Sequence, residues 1–322
     1  MLSLVFVFLS SLIIGWFISV PVVWALKVLR VGQTVREEGP ASHRKKAGTP
    51  TMGGIAIVLT IFFFILIMIN IDLSVKYSAL LGLFVGFSIM GFADDFEKIR
   101  AKRNLGLTTW QKLFGQLVIA SVFAASLVVL GHSNGVGGIL KDIGFSNPFL
   151  YFTFIMLVIV GTSNAVNLTD GLDGLAAGTT CIAFIAFALV AYSLQYTDEA
   201  IICAIAGGAA LSFLRVNLHP AEVFMGDVSS MPLGALLGGL AVLIHKELLL
   251  AVIGGVFVVE ALSVILQVAT YKLFRARMFK MSPLHHHFEL SGVQEPVVVM
   301  IFYVAGIILA ALGVWLSASG LL

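Results

Sequence analysis

The stretch YSALLGLFVGFSIM (Tyr77–Met90) carries no charge, and the eight residues that follow it, GFADDFEK (Gly91–Lys98), carry four. A run of about twenty largely apolar residues is what a helix needs to cross the hydrocarbon core of a bilayer. Two adjacent carboxylates, Asp94 and Asp95, then stand where this run gives out. Like charges repel, and negative charge at a helix C-terminus also opposes the helix dipole. The pair therefore calls for a reason beyond solubility.

The rest of the 322-residue chain repeats the pattern. It is 59% hydrophobic and 11% charged, where a soluble domain carries about 25% charge. Mean hydropathy is +1.05. These values imply an all-α polytopic membrane protein and exclude a soluble class. Ten apolar segments qualify as spans, near 3–26, 50–71, 77–93, 112–130, 148–166, 174–194, 199–214, 230–245, 248–274 and 298–319. Those at 199–214 and 230–245 are short. The one at 248–274 is long enough to tilt or break. The first segment lacks a cleavage site of small residues and reads as a retained helix. No fixed-period repeat or soluble module interrupts the series, so a single membrane domain is expected over 1–322.

Charge then sets the orientation. Alternate connections, 27–49, 94–112, 167–173, 215–229 and 272–297, hold six, five, none, one and four Lys or Arg, sixteen of the nineteen. The positive-inside rule makes this side cytoplasmic and puts both termini outside. The same side holds eleven of the seventeen acids and five of the seven histidines. Chemistry is therefore expected at the cytoplasmic membrane surface.

Five stretches could carry it. FADDFEKIRAKRNLGLTTWQK offers Asp94 and Asp95 with Lys98 and Lys112; paired carboxylates suit a hard divalent ion such as Mg²⁺. SNAVNLTDGLDGLAAG places Asn164, Asn167, Asp170 and Asp173 among glycines that permit close backbone approach. If this segment is helical, Asp170 and Asp173 share a face. RVNLHPAEVFMGDVSS presents Asn217, Phe224 and Asp227; a helix N-cap is the plain alternative for Asp227. MFKMSPLHHHFELSG contains His285, His286 and His287, which cannot all face one point from a regular helix. SHRKKAGTPTMGG joins His43, Arg44, Lys45 and Lys46 to a turn before a helix, an arrangement suited to anions. Glu260 and Gln267 lie inside an apolar stretch, where an acid is either functional or paired with another helix. Together these residues point to metal-assisted chemistry on a phosphate, with a lipid as one substrate and no nucleic-acid partner. A cation transporter would want its acids deeper within the spans, and a non-catalytic lipid-binding protein is the remaining class.

FADDFEK, NAVNLTDGLDGLA, PAEVFMGD, GTPTMGG and SPLHHHFEL resemble the phospho-N-acetylmuramoyl-pentapeptide transferase family, within the polyprenyl-phosphate N-acetylhexosamine-1-phosphate transferases. The resemblance covers essentially the whole chain. It implies an Mg²⁺-dependent enzyme that joins UDP-N-acetylmuramoyl-pentapeptide to undecaprenyl phosphate. The products would be lipid I and UMP, in the first membrane step of peptidoglycan synthesis. It further implies Asp227 as a metal ligand, with Asp94 and Asp95 binding metal or handling the lipid phosphate. Asn167, Asp170 and Asp173 would shape the nucleoside and catalytic pocket. Phe224 would stack near uracil, with Lys98 and Asn217 nearby. The triplet His285, His286 and His287 would serve activity, and Lys46 and Lys112 would line the cleft. A homodimer in the bacterial inner membrane is implied as well. A sibling transferase using UDP-N-acetylglucosamine is the nearest alternative, against which the SPLHHHFEL motif speaks. The chain departs from the family at Val228-Ser229-Ser230, where Thr-Gly-Ser is usual.

Overall fold

The computed structural model describes residues 1–29, 46, 48–69, 74–101, 106–130 and 147–322. His43, Arg44 and Lys45 lie outside the described residues. The described residues form twelve helices and no strand: α1 Leu2–Val28, α2 Ile55–Ile69, α3 Val75–Ala101, α4 Thr109–Val129, α5 Pro148–Thr169, α6 Leu175–Ser193, α7 Thr197–Asn217, α8 Asp227–Leu243, α9 Glu247–Ile253, α10 Gly255–Phe274, α11 Leu284–Leu290 and α12 Glu295–Ala318. Eight of them are long and apolar enough to cross a membrane, and α2 and α8 are shorter apolar helices. Each of the ten apolar segments read from the sequence contains a helix among its described residues. The long segment at 248–274 is broken into α9 and α10 at Gly254.

Local chemistry explains several ends. Thr108 caps α4 in a capping box with Gln111, so two otherwise orphaned backbone donors are satisfied. Asn147 caps α5 ahead of Pro148, whose missing N–H costs nothing in a first turn. One end differs from expectation. Asp94 and Asp95 do not terminate their helix, because α3 continues through Ala101. The extra turns carry Lys98 back onto the same face as Asp94 and Asp95, and these ion pairs offset the repulsion and the dipole.

The centre of the bundle is α8. All seventeen of its residues are buried, against α2, α3, α5, α6, α7 and α9. Small residues make that possible. A Cβ on Gly91 of α3 would come within 2.1 Å of the Asp227 carbonyl oxygen, so the two helices touch backbone to backbone. By contrast α1, α4, α10 and α12 leave large apolar side chains exposed, Trp16, Trp110, Ile265 and Trp315 among them. This is the distribution expected of an outer ring facing lipid.

Candidate active site

All five connections predicted to share one side contribute to a single cleft of about 670 Å³ at one end of the bundle. Its walls include Lys46, Asp94, Asp95, Lys98, Lys112, Asn167, Asp170, Asp173, Asn217, Phe224, Asp227, His285 and His286.

The floor is built by α3, α5 and α8. Asp94 and Asp95 are 2% and 1% exposed. Oxygens of Asp94, Asp95 and Asp227 lie within 4.8 Å of one another. Backbone amides fix two of these carboxylates. Asp94 Oδ1 accepts from Leu107 N at 3.0 Å, and Asp95 Oδ2 accepts from Val228 N at 3.0 Å. Asp227 begins α8 without capping it; Oδ1 instead accepts from Asn167 Nδ2 at 2.7 Å, and the same amide donates to Ser230 Oγ at 2.9 Å. The departure at Val228-Ser229-Ser230 thus leaves a serine hydroxyl supporting Asn167, while the Ser229 hydroxyl is buried without a partner.

Two ammonium groups sit among these acids. Lys98 Nζ is 2.6 Å from Asp94 Oδ2, 3.0 Å from Asp95 Oδ1 and 3.1 Å from Asp227 Oδ2. Lys112 Nζ is 2.5 Å from Asp227 Oδ2 and 3.8 Å from Asp94 Oδ2. Asp170 adjoins the cluster and accepts from Gly226 N at 3.1 Å. Four carboxylates against two lysines leave an excess of negative charge. Burial, followed by repulsion from Asp227, pushes the Asp170 carboxyl up from 3.8 to about 7. Asp94 Oδ2 touches Lys98 but accepts no well-directed hydrogen bond. Oxygen-only donors, surplus negative charge and an unsaturated carboxylate oxygen fit a hard divalent cation.

A second cluster shapes the neighbouring wall. The segment after Thr169 is a turn, not a helix, so Asp170 and Asp173 do not share a face. Asp170 faces the carboxylate floor; Asp173 faces Lys46, whose Nζ lies 2.7 Å from Asp173 Oδ1 and 2.6 Å from Glu295 Oε1. Glu295 Oε1 also accepts from Asp173 N at 2.8 Å, and His219 Nδ1 is 3.0 Å from Asp173 Oδ2. The cation over the Phe224 ring is Lys46, 5.9 Å from its centroid. Lys98, implied near the base by resemblance, sits in the carboxylate floor. Asn217 accepts from Gly174 N at 3.0 Å and donates to Val223 O at 2.9 Å, tying the turn to the Phe224 loop.

The histidines separate, because α11 is a regular helix and distributes them around its axis. His285 is buried, with Nδ1 3.0 Å from Glu260 Oε2. His286 lines the cleft beside Glu289, 2.9 Å away. His287 turns to the Phe279 ring and accepts from Lys280 N at 3.2 Å. Three contributors escaped the sequence reading. Glu295 was hidden as an ordinary acid in a helix first turn. His219 stood unremarked beside Pro220. Gln116, which pairs reciprocally with Asn164 at 3.2 and 2.8 Å, was a lone amide in an apolar span and offered the clearest missed signal.

The chain is similar to known proteins along nearly its whole length. The family described as Glycosyl transferase family 4 matches residues 77–245. The Phospho-N-acetylmuramoyl-pentapeptide-transferase signature 1 matches residues 46–58. A phospho-N-acetylmuramoyl-pentapeptide-transferase of Shouchella clausii is 49% identical over 98% of both chains. Those of Bacillus pumilus and Bacillus subtilis are 48% and 47% identical over 97% of this chain and 98% of their own.

Proposed function

The chain belongs to the phospho-N-acetylmuramoyl-pentapeptide transferase family of phosphoglycosyl transferases, and we propose that it transfers phospho-N-acetylmuramoyl-pentapeptide from its UDP conjugate to undecaprenyl phosphate. In this reading the protein is one membrane domain with ten spans and both termini outside. The cleft opens to the bacterial cytoplasm, and the protein functions as a homodimer in the inner membrane.

The observation that carries the reading is the convergence of Asp94, Asp95 and Asp227 with Lys98 and Lys112 on the cleft floor, in a chain of this family. Asp227, with Asp94 and Asp95, would hold Mg²⁺, which when bound supplies charge neutralisation for a diphosphate and its leaving group. The lysines bind and orient phosphate oxygens. An oxygen of the lipid phosphate attacks the donor phosphorus that bears the sugar. The bond from that phosphorus to the bridging oxygen breaks, and the electron pair leaves with UMP. A lipid phosphate is already ionised at neutral pH, so Asp94 needs only to position it or take a residual proton. Lys46, Asp173, Asn217 and Phe224 form the wall suited to the nucleoside, with the aromatic ring offering a stacking face.

Purified protein given UDP-N-acetylmuramoyl-pentapeptide, undecaprenyl phosphate and Mg²⁺ should release UMP. Release only with UDP-N-acetylglucosamine would overturn the donor assignment. Inversion at phosphorus is expected for direct attack; retention would instead require a covalent aspartyl intermediate.

A further inference from the structure

Glu260 and Gln267 are polar interruptions of α10, seven residues apart and so nearly on one face of the helix. Around them Val259, Leu262, Ile265 and Leu266 are exposed in the manner of a lipid-facing surface. Both polar side chains reach to the same loop. Gln267 accepts from Phe279 N at 2.9 Å and donates to Phe279 O at 3.0 Å. Glu260 accepts from His285 N at 3.2 Å through Oε1 and lies 3.0 Å from His285 Nδ1 through Oε2. Both Glu260 and His285 are 0% exposed.

This geometry fixes the imidazole. A carboxylate that takes the backbone N–H with one oxygen takes the Nδ1–H with the other, so the proton on Nδ1 is determined. A carboxylate buried alone in an apolar stretch is costly, and hydrogen bonds to both of its oxygens offset that cost. The other ring nitrogen, Nε2, is buried with no partner. It rests against Gly171, where a Cβ would come within 2.2 Å. Gly171 and His285 both line the cleft, and Gly171 lies between Asp170 and Asp173. The His286 ring packs edge-on at 4.2 Å. A buried polar atom left unsatisfied is expensive unless something completes it.

We propose that Glu260 is a positioning residue for the transfer reaction: it holds the His285 ring with Nδ1–H toward its carboxylate, so that Nε2 presents to the cleft across Gly171, toward the bound substrates. Gln267 anchors the other end of the same loop. The role resembles that of a carboxylate orienting a metal-bound or catalytic histidine. It rests on the function proposed above for its kinetic arm only.

The test has two independent readouts. Ring-nitrogen NMR of ¹⁵N-histidine-labelled protein in detergent, with His285 assigned by its loss in His285→Asn, should show a protonated Nδ1. Glu260→Gln should change that signal selectively among the seven histidines. In the UMP-release assay, Glu260→Gln should lower kcat about tenfold to a hundredfold with KM values little changed, the effect of losing a charged hydrogen bond. Glu260→Asp, which keeps the carboxylate, should recover part of the rate and the Nδ1 signal. It also serves as the reading if the glutamine variant does not fold. An unchanged His285 spectrum, or an altered spectrum with unchanged kcat in an active enzyme, would overturn the proposal. A wild-type protein that releases no UMP would refute the assigned reaction while the spectrum still decides how His285 is held.

Discussion

Gly91→Ala should disable the protein without touching any charged group. The α3 backbone at Gly91 lies against the first turn of α8. An added Cβ would be 2.1 Å from the Asp227 carbonyl oxygen, 2.5 Å from its carbonyl carbon and 2.8 Å from Val228 N. All three obstacles are backbone atoms, so no rotamer change relieves them. Reaching 3.0 Å, the shortest separation real Cβ atoms show, requires the helices to part by about 0.9 Å. Asp94 and Asp95 lie one turn further along α3, and Asp227 is the residue being pushed. The 3.0 Å bond from Val228 N to Asp95 lengthens with the same movement. Overpacking of this kind costs about 1–3 kcal/mol of stability, and a misplacement near 1 Å in a reacting constellation costs about a hundredfold in rate. UMP release per folded molecule should therefore fall about a hundredfold, with only a modest drop in the thermal melt in detergent. Gly82→Ala is the control, since nothing lies within 4 Å of its Cβ on the same helix. If Gly91→Ala turned over as fast as Gly82→Ala, the close approach of α3 and α8 would not be what sets the carboxylate geometry.

Glu295→Gln should raise KM for the nucleotide donor roughly tenfold with little change in kcat, because it loosens Lys46 and the Asp173 turn and leaves the carboxylate floor alone; steady-state kinetics with varied donor would check it. Asp227→Asn should abolish turnover and weaken Mn²⁺ binding, measured by electron paramagnetic resonance, since it removes a carboxylate shared by both lysines. Asp170 holds its proton more tightly in the folded chain, with a value of about 7 against 3.8. Its contribution to stability therefore falls as pH rises from about 4 to about 7 and is constant above. Without divalent cation, Asp170→Asn should become progressively more stable than the parent over that window, as read by thermal melts, and added Mg²⁺ should shrink the difference.

Hydropathy made the helices legible, because a chain in lipid must satisfy its backbone within each span. It did not reveal where they stop. The helix α3 runs on past its acids to Ala101, with Lys98 paired to Asp94 and Asp95 one turn back, and hydropathy does not score such charge pairs. The break before α10 falls at Gly254, in a run that reads as uniformly apolar. In the site, residue type and membrane side were enough to gather Asp94, Asp95, Asp170, Asp173 and Asp227. Their division into two clusters was not legible, since it depends on a turn at Asp170–Gly174 that sends neighbouring acids to opposite partners. Glu295 could not be assigned for the same reason: its partners, Lys46 and Asp173, lie far away in the chain and meet it only through folding.

The burial of α8 has a consequence for how the protein meets membranes of different thickness. Seventeen residues rise about 25 Å, less than the roughly 30 Å of a typical hydrocarbon core. A lipid-facing helix of that length would tilt, or thin the bilayer around it. All of α8 is buried by protein, so the mismatch falls on the ring formed by α1, α4, α10 and α12. The helix that begins at Asp227 keeps its own depth. Changes in acyl-chain length should therefore strain the perimeter while leaving the carboxylates in register.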